Sequence, residues 1–234
     1  MKKLLSILAL MVGVIFSTNV QATEYLPYVA GRVSYVTVNN DTNQWVSDRG
    51  YTSTIVDKRL NDETWGTRLA VGVEVPLCGG LAKSVRGEVE YGVISGTHNS
   101  GSYGHNINGF TIPTNYEIES RIETVMFNVY YDLDTNTRFT PYVNVGIGYA
   151  NITEKAGVSN QYATERAKDS EDNLAWNVGA GVSYAVSSHI SAEMGYRYTD
   201  YGSIKNSEVR GDYASSAKRD YDSHEVMLGL RYTF

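Results

Sequence analysis

The sequence predicts an all-β fold, an eight-stranded antiparallel up-and-down transmembrane β-barrel. Three observations predict it. Eight stretches of about ten residues alternate between apolar and polar positions, the period of a strand with one greasy face, and about ten is the length a tilted strand needs to cross a bilayer. The connections between these stretches are alternately short and long. Aromatic residues collect at two levels on the apolar faces.

The chain opens with Met1-Lys2-Lys3, an apolar run over residues 4–16 and the small-residue end Val20-Gln21-Ala22. That pattern reads as a secretory signal peptide cleaved after Ala22, since the apolar run is well short of the roughly 20 residues of a membrane-spanning helix. The expected division is a leader, residues 1–22, and one barrel domain, residues 23–234. Removing Lys2 and Lys3 takes the formal charge from −6 to −8, so the mature chain is acidic and a poor nucleic-acid binder. The mean hydropathy of −0.30 fits a barrel, because every second residue would face a polar lumen. Cys78 is the single cysteine, so no internal disulfide forms, and it reads as a bystander in a turn.

The first expected strand, residues 27–38, sets Val29, Val33 and Tyr35 against Ala30, Arg32 and Ser34. The second is the cleanest, with Trp65, Thr67, Leu69, Val71, Val73 and Val75 opposing Gly66, Arg68, Ala70, Gly72 and Glu74. A tight connection around Cys78-Gly79-Gly80 leads to the third, residues 85–93. The fourth covers 124–132, and the short turn Asp134-Thr135-Asn136-Thr137 leads to the fifth, 141–150. The sixth, 174–186, joins the seventh, 190–199, through Ser187-Ser188. The eighth ends the chain with Val226, Leu228, Leu230, Tyr232 and Phe234 on one face. Polar stretches near residues 39–63, 95–121, 153–173 and 202–220 are expected as long loops, all on one side of the membrane. Tyr35, Trp65, Tyr91, Tyr149, Trp176 and Tyr198 then lie at the loop end of the apolar face, and Tyr131, Tyr184, Tyr232 and Phe234 at the turn end. Two such rings suit the two membrane–water interfaces.

The polar face carries Arg32, Arg68, Arg86, Arg197 and Arg231 with Glu74, Glu88, Glu90, Glu193 and Glu225. A one-residue slip would turn them to lipid, at up to roughly 2–4 kcal/mol per arginine, so the register is strongly selected. Equal numbers of opposite charges predict a paired network that plugs the lumen, since eight strands enclose only enough width for side chains. Gly146, Gly148, Gly179 and Gly181 are expected to leave room for the long side chains opposite them.

With these strands placed, the chain resembles the opacity-protein and outer-membrane-protein-X group of small surface barrels, part of the superfamily of barrels like that of outer-membrane protein A. The resemblance rests on Thr140 to Tyr149, on Gly195-Tyr196-Arg197-Tyr198 and on Leu228 to Phe234. It implies an integral outer-membrane location, with loops extracellular and turns periplasmic. It also implies roles in host-cell adhesion, resistance to host defences or envelope integrity. Tyr232 and Phe234 resemble the terminal signal that the barrel-assembly machinery reads. The implied partners are outer-membrane lipids, lipopolysaccharide and host-cell or matrix proteins.

Among the loops, Tyr51 opens a β-prone run, Tyr51 to Val56, while Tyr103, Ile107, Phe110 and Ile112 give the second loop more apolar surface than solvation requires. These are the candidate contacts. Mixed signs, Lys205, Arg210, Lys218 and Arg219 against Glu208, Asp212 and Asp220, argue against a dedicated polyanion patch in the fourth loop. A pore is the alternative that the charge-balanced lumen disfavours. A lipid-modifying enzyme is the other, carried by His189-Ile190-Ser191 at the turn end and by Ser223-His224, whose side chains should point to opposite faces. No catalytic, cofactor or metal site is predicted: His98 and His105 read as solvated, and Asp169, Glu171 and Asp172 match no calcium-loop spacing.

Overall fold

A computed structural model of the chain describes residues 25–48, 51–56, 60–77, 81–107, 110–159, 164–210 and 213–234. The expected leader and Cys78 lie outside the described residues. Within them are nine strands: β1 Leu26–Asp48, β2 Tyr51–Val56, β3 Leu60–Pro76, β4 Ala82–Ile107, β5 Phe110–Leu133, β6 Phe139–Ser159, β7 Thr164–Ala185, β8 Ile190–Arg210 and β9 Tyr213–Thr233. Every pairing is antiparallel. Strand β2 pairs only with the far half of β1, Asn43 to Asp48, and so stands outside the wall. The remaining strands run in sequence order, and β1 also pairs with β9, which closes an eight-stranded barrel without a free edge.

The second and third expected turns join the strands at one end; residues 78–80 of the first lie outside the described residues. In the second, the Asp134 carboxylate accepts the Asn136 N–H at 2.9 Å, and Asn136 adopts a left-handed φ of 54°. Asparagine tolerates that conformation because its short amide bonds locally. The third closes through Val186 N–H to the Ile190 carbonyl, 2.9 Å.

At the other end the expectation of long loops needs correction. Strands β4 and β5 continue to a hairpin pairing Ile107 with Phe110, β6 and β7 to Ser159 with Thr164, and β8 and β9 to Arg210 with Tyr213. Strands of 21 to 26 residues are about twice the length a membrane crossing needs. Beyond the membrane lipid no longer selects an apolar outer face, so apolar alternation is lost while main-chain pairing simply continues. Periodicity reports burial, and here the ladder outruns it.

The projecting wall then divides. Pairing of β7 with β8 stops at Trp176–Asp200, and pairing of β3 with β4 stops at Gly66–Ile94. Above those points β4–β7 form one sheet, while β8, β9 and β1, with residues 60–65 of β3 and then β2 along its other side, form another. The β8 break is built locally. The register shifts between Asp200 and Ser203, the Asp200 carboxylate accepts the Gly202 N–H at 2.8 Å, and Gly202 has φ +78°. Side chains rarely adopt that backbone, so glycine is required there.

The outer face is apolar, with Leu69 69% and Leu230 61% exposed. Its aromatics pair edge-on or tilted at the two expected levels: Tyr35 with Trp65 and Trp176 with Tyr198, each 5.6 Å apart, at one end, and Phe139 with Tyr184 at 4.9 Å and Tyr232 with Phe234 at 5.2 Å at the other. The inner face needs its glycines. A Cβ on Gly146 would lie 2.0 Å from Asn128 Oδ1, and one on Gly181 would lie 2.5 Å from the Tyr142 hydroxyl. Gly148 is the least forgiving, because its Cβ would meet backbone, the Val125 carbonyl oxygen at 2.0 Å and Met126 Cα at 2.7 Å. Gly148→Val is therefore expected to abolish formation of the compact, heat-modifiable species on denaturing gels, whereas Gly31→Ala, facing only Leu69 at 3.7 Å, should leave it intact.

Candidate functional site: the lumen and the extracellular sheets

All five arginines point inward. Arg32 on β1 reaches Glu88 at 2.8 Å, Glu90 at 3.0 Å and Glu193 at 3.1 Å. Arg68 on β3 binds Glu225 at 2.6 Å and lies 3.4 Å from Glu90. Arg197 on β8 meets Glu90 at 2.6 Å. Arg231 on β9 pairs with Glu74 and sits 3.1 Å from Glu193. Each of the five glutamates thus meets an arginine, and Glu88, Glu90 and Glu225 are wholly buried.

Sequence reasoning missed several members of this network. Arg86 takes its bidentate partner from Asp132, with Nε and Nη2 donating at 2.8 and 2.9 Å, and adds Glu193 at 3.0 Å. Asp132 lies on the polar face of its strand, which was the available signal. Tyrosines complete the set: Tyr28 and Tyr130 donate to Glu88 at 3.0 and 2.7 Å. The Arg86 guanidinium lies 4.3 Å from the Tyr130 ring centre, a cation–π contact.

A second layer, of opposite character, lies between this network and the extracellular end. Val36, Val38, Ile94, Ile122, Met126, Ala150, Ile152, Ala175, Tyr201 and Tyr221 form one buried apolar cluster inside the barrel. These residues occupy lumen-facing positions, yet are greasy, so the interior is ionic at mid-depth and apolar toward the mouth. Above it, Glu154 accepts hydrogen bonds from Tyr221 and, at 2.9 Å, from Arg219. Burial first, and then the Glu154 carboxylate, pushes the Tyr221 phenol up.

The candidate contact residues fall at the far ends of the sheets. Tyr51 pairs by register with Asp48, Ile107 with Phe110, Tyr103 with Thr114 and His105 with Ile112. Four of the five candidates therefore sit at the tip of one hairpin; their side chains, like those of His98 and Asp169, lie outside the described residues. The enzyme candidates separate. Ser223 is buried and bonded to Tyr201 at 2.9 Å, while His224 is on the outer wall with its Nδ1 2.5 Å from the Tyr196 hydroxyl. His189 pairs through Nδ1 with Ser188 at 2.9 Å, in the turn. Asp172 accepts from the Asn151 amide at 2.8 Å.

Other bacterial proteins resemble this chain in sequence or in fold. The outer membrane protein PagN of Salmonella typhimurium is 32% identical over 145 residues, 56% of this chain and 58% of its own length. A candidate adhesin of Rickettsia typhi is 26% identical over 180 residues, covering 73% of this chain and 80% of that one. With PagN and another Rickettsia relative matched over 58% and 47% of their lengths, the chain spans about half the length of such relatives. Among solved structures, the outer membrane protease OmpT of Escherichia coli superposes with a TM-score of 0.54 over 92% of this chain and 99% of its own, at 9% identity, a likeness of fold alone. Residues 6–234 match the model of the outer membrane protein beta-barrel domain, and the chain belongs to that family of the bacterial outer membrane.

Proposed function

We propose that this outer-membrane barrel works at the cell surface as an adhesin, gripping a host-cell or matrix protein with its two extracellular sheets while its lumen stays closed to solutes. The observation that carries the reading is the division of the wall. Above Trp176–Asp200 the edge of β7 and the edge of β8 part company, and among the described residues neither is paired across the break. Such edges present rows of main-chain donors and acceptors that an extended segment of a partner can join. The hairpin tip bearing Tyr103, Ile107, Phe110 and Ile112, at the other edge of the β4–β7 sheet, supplies apolar character at the same extracellular end. Relatedness to a candidate adhesin supports the same reading. The leader is taken to direct export, and Tyr232 and Phe234 to be read during insertion.

Replacing residues 41–59, 97–119, 155–168 and 205–218 by short turns tests it, because this removes the parted edges of β7 and β8 together with the apolar hairpin tip. The shortened protein should still reach the outer membrane, because the wall and its lumen network are untouched. Whole cells carrying it should lose at least tenfold in attachment to cultured host cells or matrix proteins. Undiminished attachment would sink the adhesin reading and leave a structural envelope role as the better one.

A further inference from the structure

Each extracellular sheet is bordered on one side by a bulged strand. Pairing of β3 with β4 stops at Gly66–Ile94, and the register of β4 against β5 shifts between Ile94 and Thr97. Pairing of β7 with β8 stops at Trp176–Asp200, and the register of β8 against β9 shifts between Asp200 and Ser203. Counted round the eight-stranded wall, β4 and β8 are four strands apart, so the two breaks lie on opposite sides of the lumen. Both fall at the level of the belt residues Trp65 and Trp176. A bulge bends its strand and interrupts the ladder locally, and here each bulge sits where a sheet leaves the closed wall.

Among the described residues no ladder crosses either break above these points, so the separation of the sheets is left to side chains and to the stiffness of the strands. Thr64 closes the root of the first break, its hydroxyl donating to the Ser95 carbonyl at 2.8 Å. Higher up, a contact crosses the mouth itself. Glu154 on β6 belongs to one sheet, and Arg219 and Tyr221 on β9 belong to the other. Arg219 Nη1 donates to both Glu154 carboxylate oxygens, at 2.9 and 3.2 Å, and the Tyr221 hydroxyl donates to one of them.

Position and burial set this contact apart from other ion pairs of the sheets. Lys155–Glu119 lies within one sheet and Lys218–Asp220 within the other, and both are exposed. Exposed pairs contribute little. The Glu154 and Arg219 side chains are 11% and 34% exposed, and charge-assisted bonds held partly out of water are stronger. Tyr221 also belongs to the apolar cluster with Ile122 and Ile152, so the ion pair is seated on that layer. Parting the sheets breaks the ion pair and wets the layer in one event. Two costs that arise together make closed and open forms discrete arrangements, not the ends of a continuous deformation.

We propose that Glu154, Arg219 and Tyr221 form a latch that locks the two extracellular sheets together over the apolar layer, and that the sheets swing apart when it is released. The bulges at residues 94–97 and 200–203 take up the bending. The device does not depend on which partner the sheets meet, and its test reads the chain alone. Double electron–electron resonance on the full-length barrel in lipid nanodiscs measures the separation, with spin labels on Lys168→Cys in one sheet and Lys218→Cys in the other, in a Cys78→Ser background. With the latch intact the distance distribution should be narrow. Glu154→Gln, its insertion verified by heat-modifiable migration, should broaden it about twofold and move weight to longer distances. Arg219→Gln, at the more exposed member, carries the same expectation and serves alone if the first variant fails to insert. The exchanged pair E154R/R219E should restore the narrow distribution, which a role in local packing would not do. An unchanged distribution in either glutamine variant would overturn the latch. So would a broad distribution with the latch intact, or an exchanged pair as broad as the single variants.

Discussion

Replacing Glu90 by alanine is expected to lower the unfolding free energy of the refolded barrel by about 3–5 kcal/mol, the cost of stranding buried charge. Glu90 is wholly buried and touches Arg32, Arg68 and Arg197 at 3.0, 3.4 and 2.6 Å. Three guanidiniums from three strands would lose their common counter-charge. Glu90→Gln keeps an acceptor but no charge, and should fall between alanine and wild type. The comparison must be with an exposed pair. Removing Lys218, 2.7 Å from Asp220 at the surface, should shift stability by less than about 1 kcal/mol. Urea unfolding in lipid vesicles reads all of these. A Glu90→Ala protein as stable as the Lys218 variant would show that the network is not what holds the lumen.

The second large effect concerns permeation. In planar bilayers the wild-type barrel is expected to show no ion conductance, and the Ile94→Ser/Ile122→Ser/Ile152→Ser variant to show discrete openings. Those isoleucines are 2%, 3% and 0% exposed inside the mouth, and a narrow apolar section of this kind is expected to exclude water and therefore ions. Hydroxyls in their place give water partners and remove the dewetted section. Steady conductance through the wild type would refute closure of the lumen. A silent triple variant would assign closure to the ion pairs beneath, and Glu90→Ala should then conduct.

Much of this architecture is legible in the sequence because the membrane enforces it. Alternation along residues 65–75 can be read directly, since lipid accepts Leu69 and Val71 and rejects Arg68. The inward set of arginines follows from parity alone. Their pairing does not, because it depends on stagger around the barrel: Arg32 meets Glu193, which lies on β8. Arg86 adds Asp132, diagonal to it on the neighbouring strand, to Glu193, and parity does not rank such positions. The apolar cap escaped notice because lumen-facing positions were expected to be polar, and Ile122 and Ile152 sit where the strand pattern had already faded. The projecting sheets were read as loops for a related reason. Residues such as Asn99, Ser100 and Gly101 carry no hydrophobic period, and only a paired neighbour makes them strand.

The seam between β1 and β9 has a consequence for how the barrel persists. It is an unbroken ladder from Tyr28–Thr233 to Asp48–Tyr213, so the two ends of the chain are zipped together along the whole height of the molecule. Closing so large a loop is costly at the outset, although the entropic cost rises by only about 0.6 kcal/mol per doubling of loop length. The returns come only as successive rungs form, so assembly is slow and late to commit. The same ladder works in reverse. Once shut, it offers no frayed end within the bilayer, and loss of the native state requires many rungs to part together. Persistence is then expected to follow the rate of unzipping rather than equilibrium stability alone.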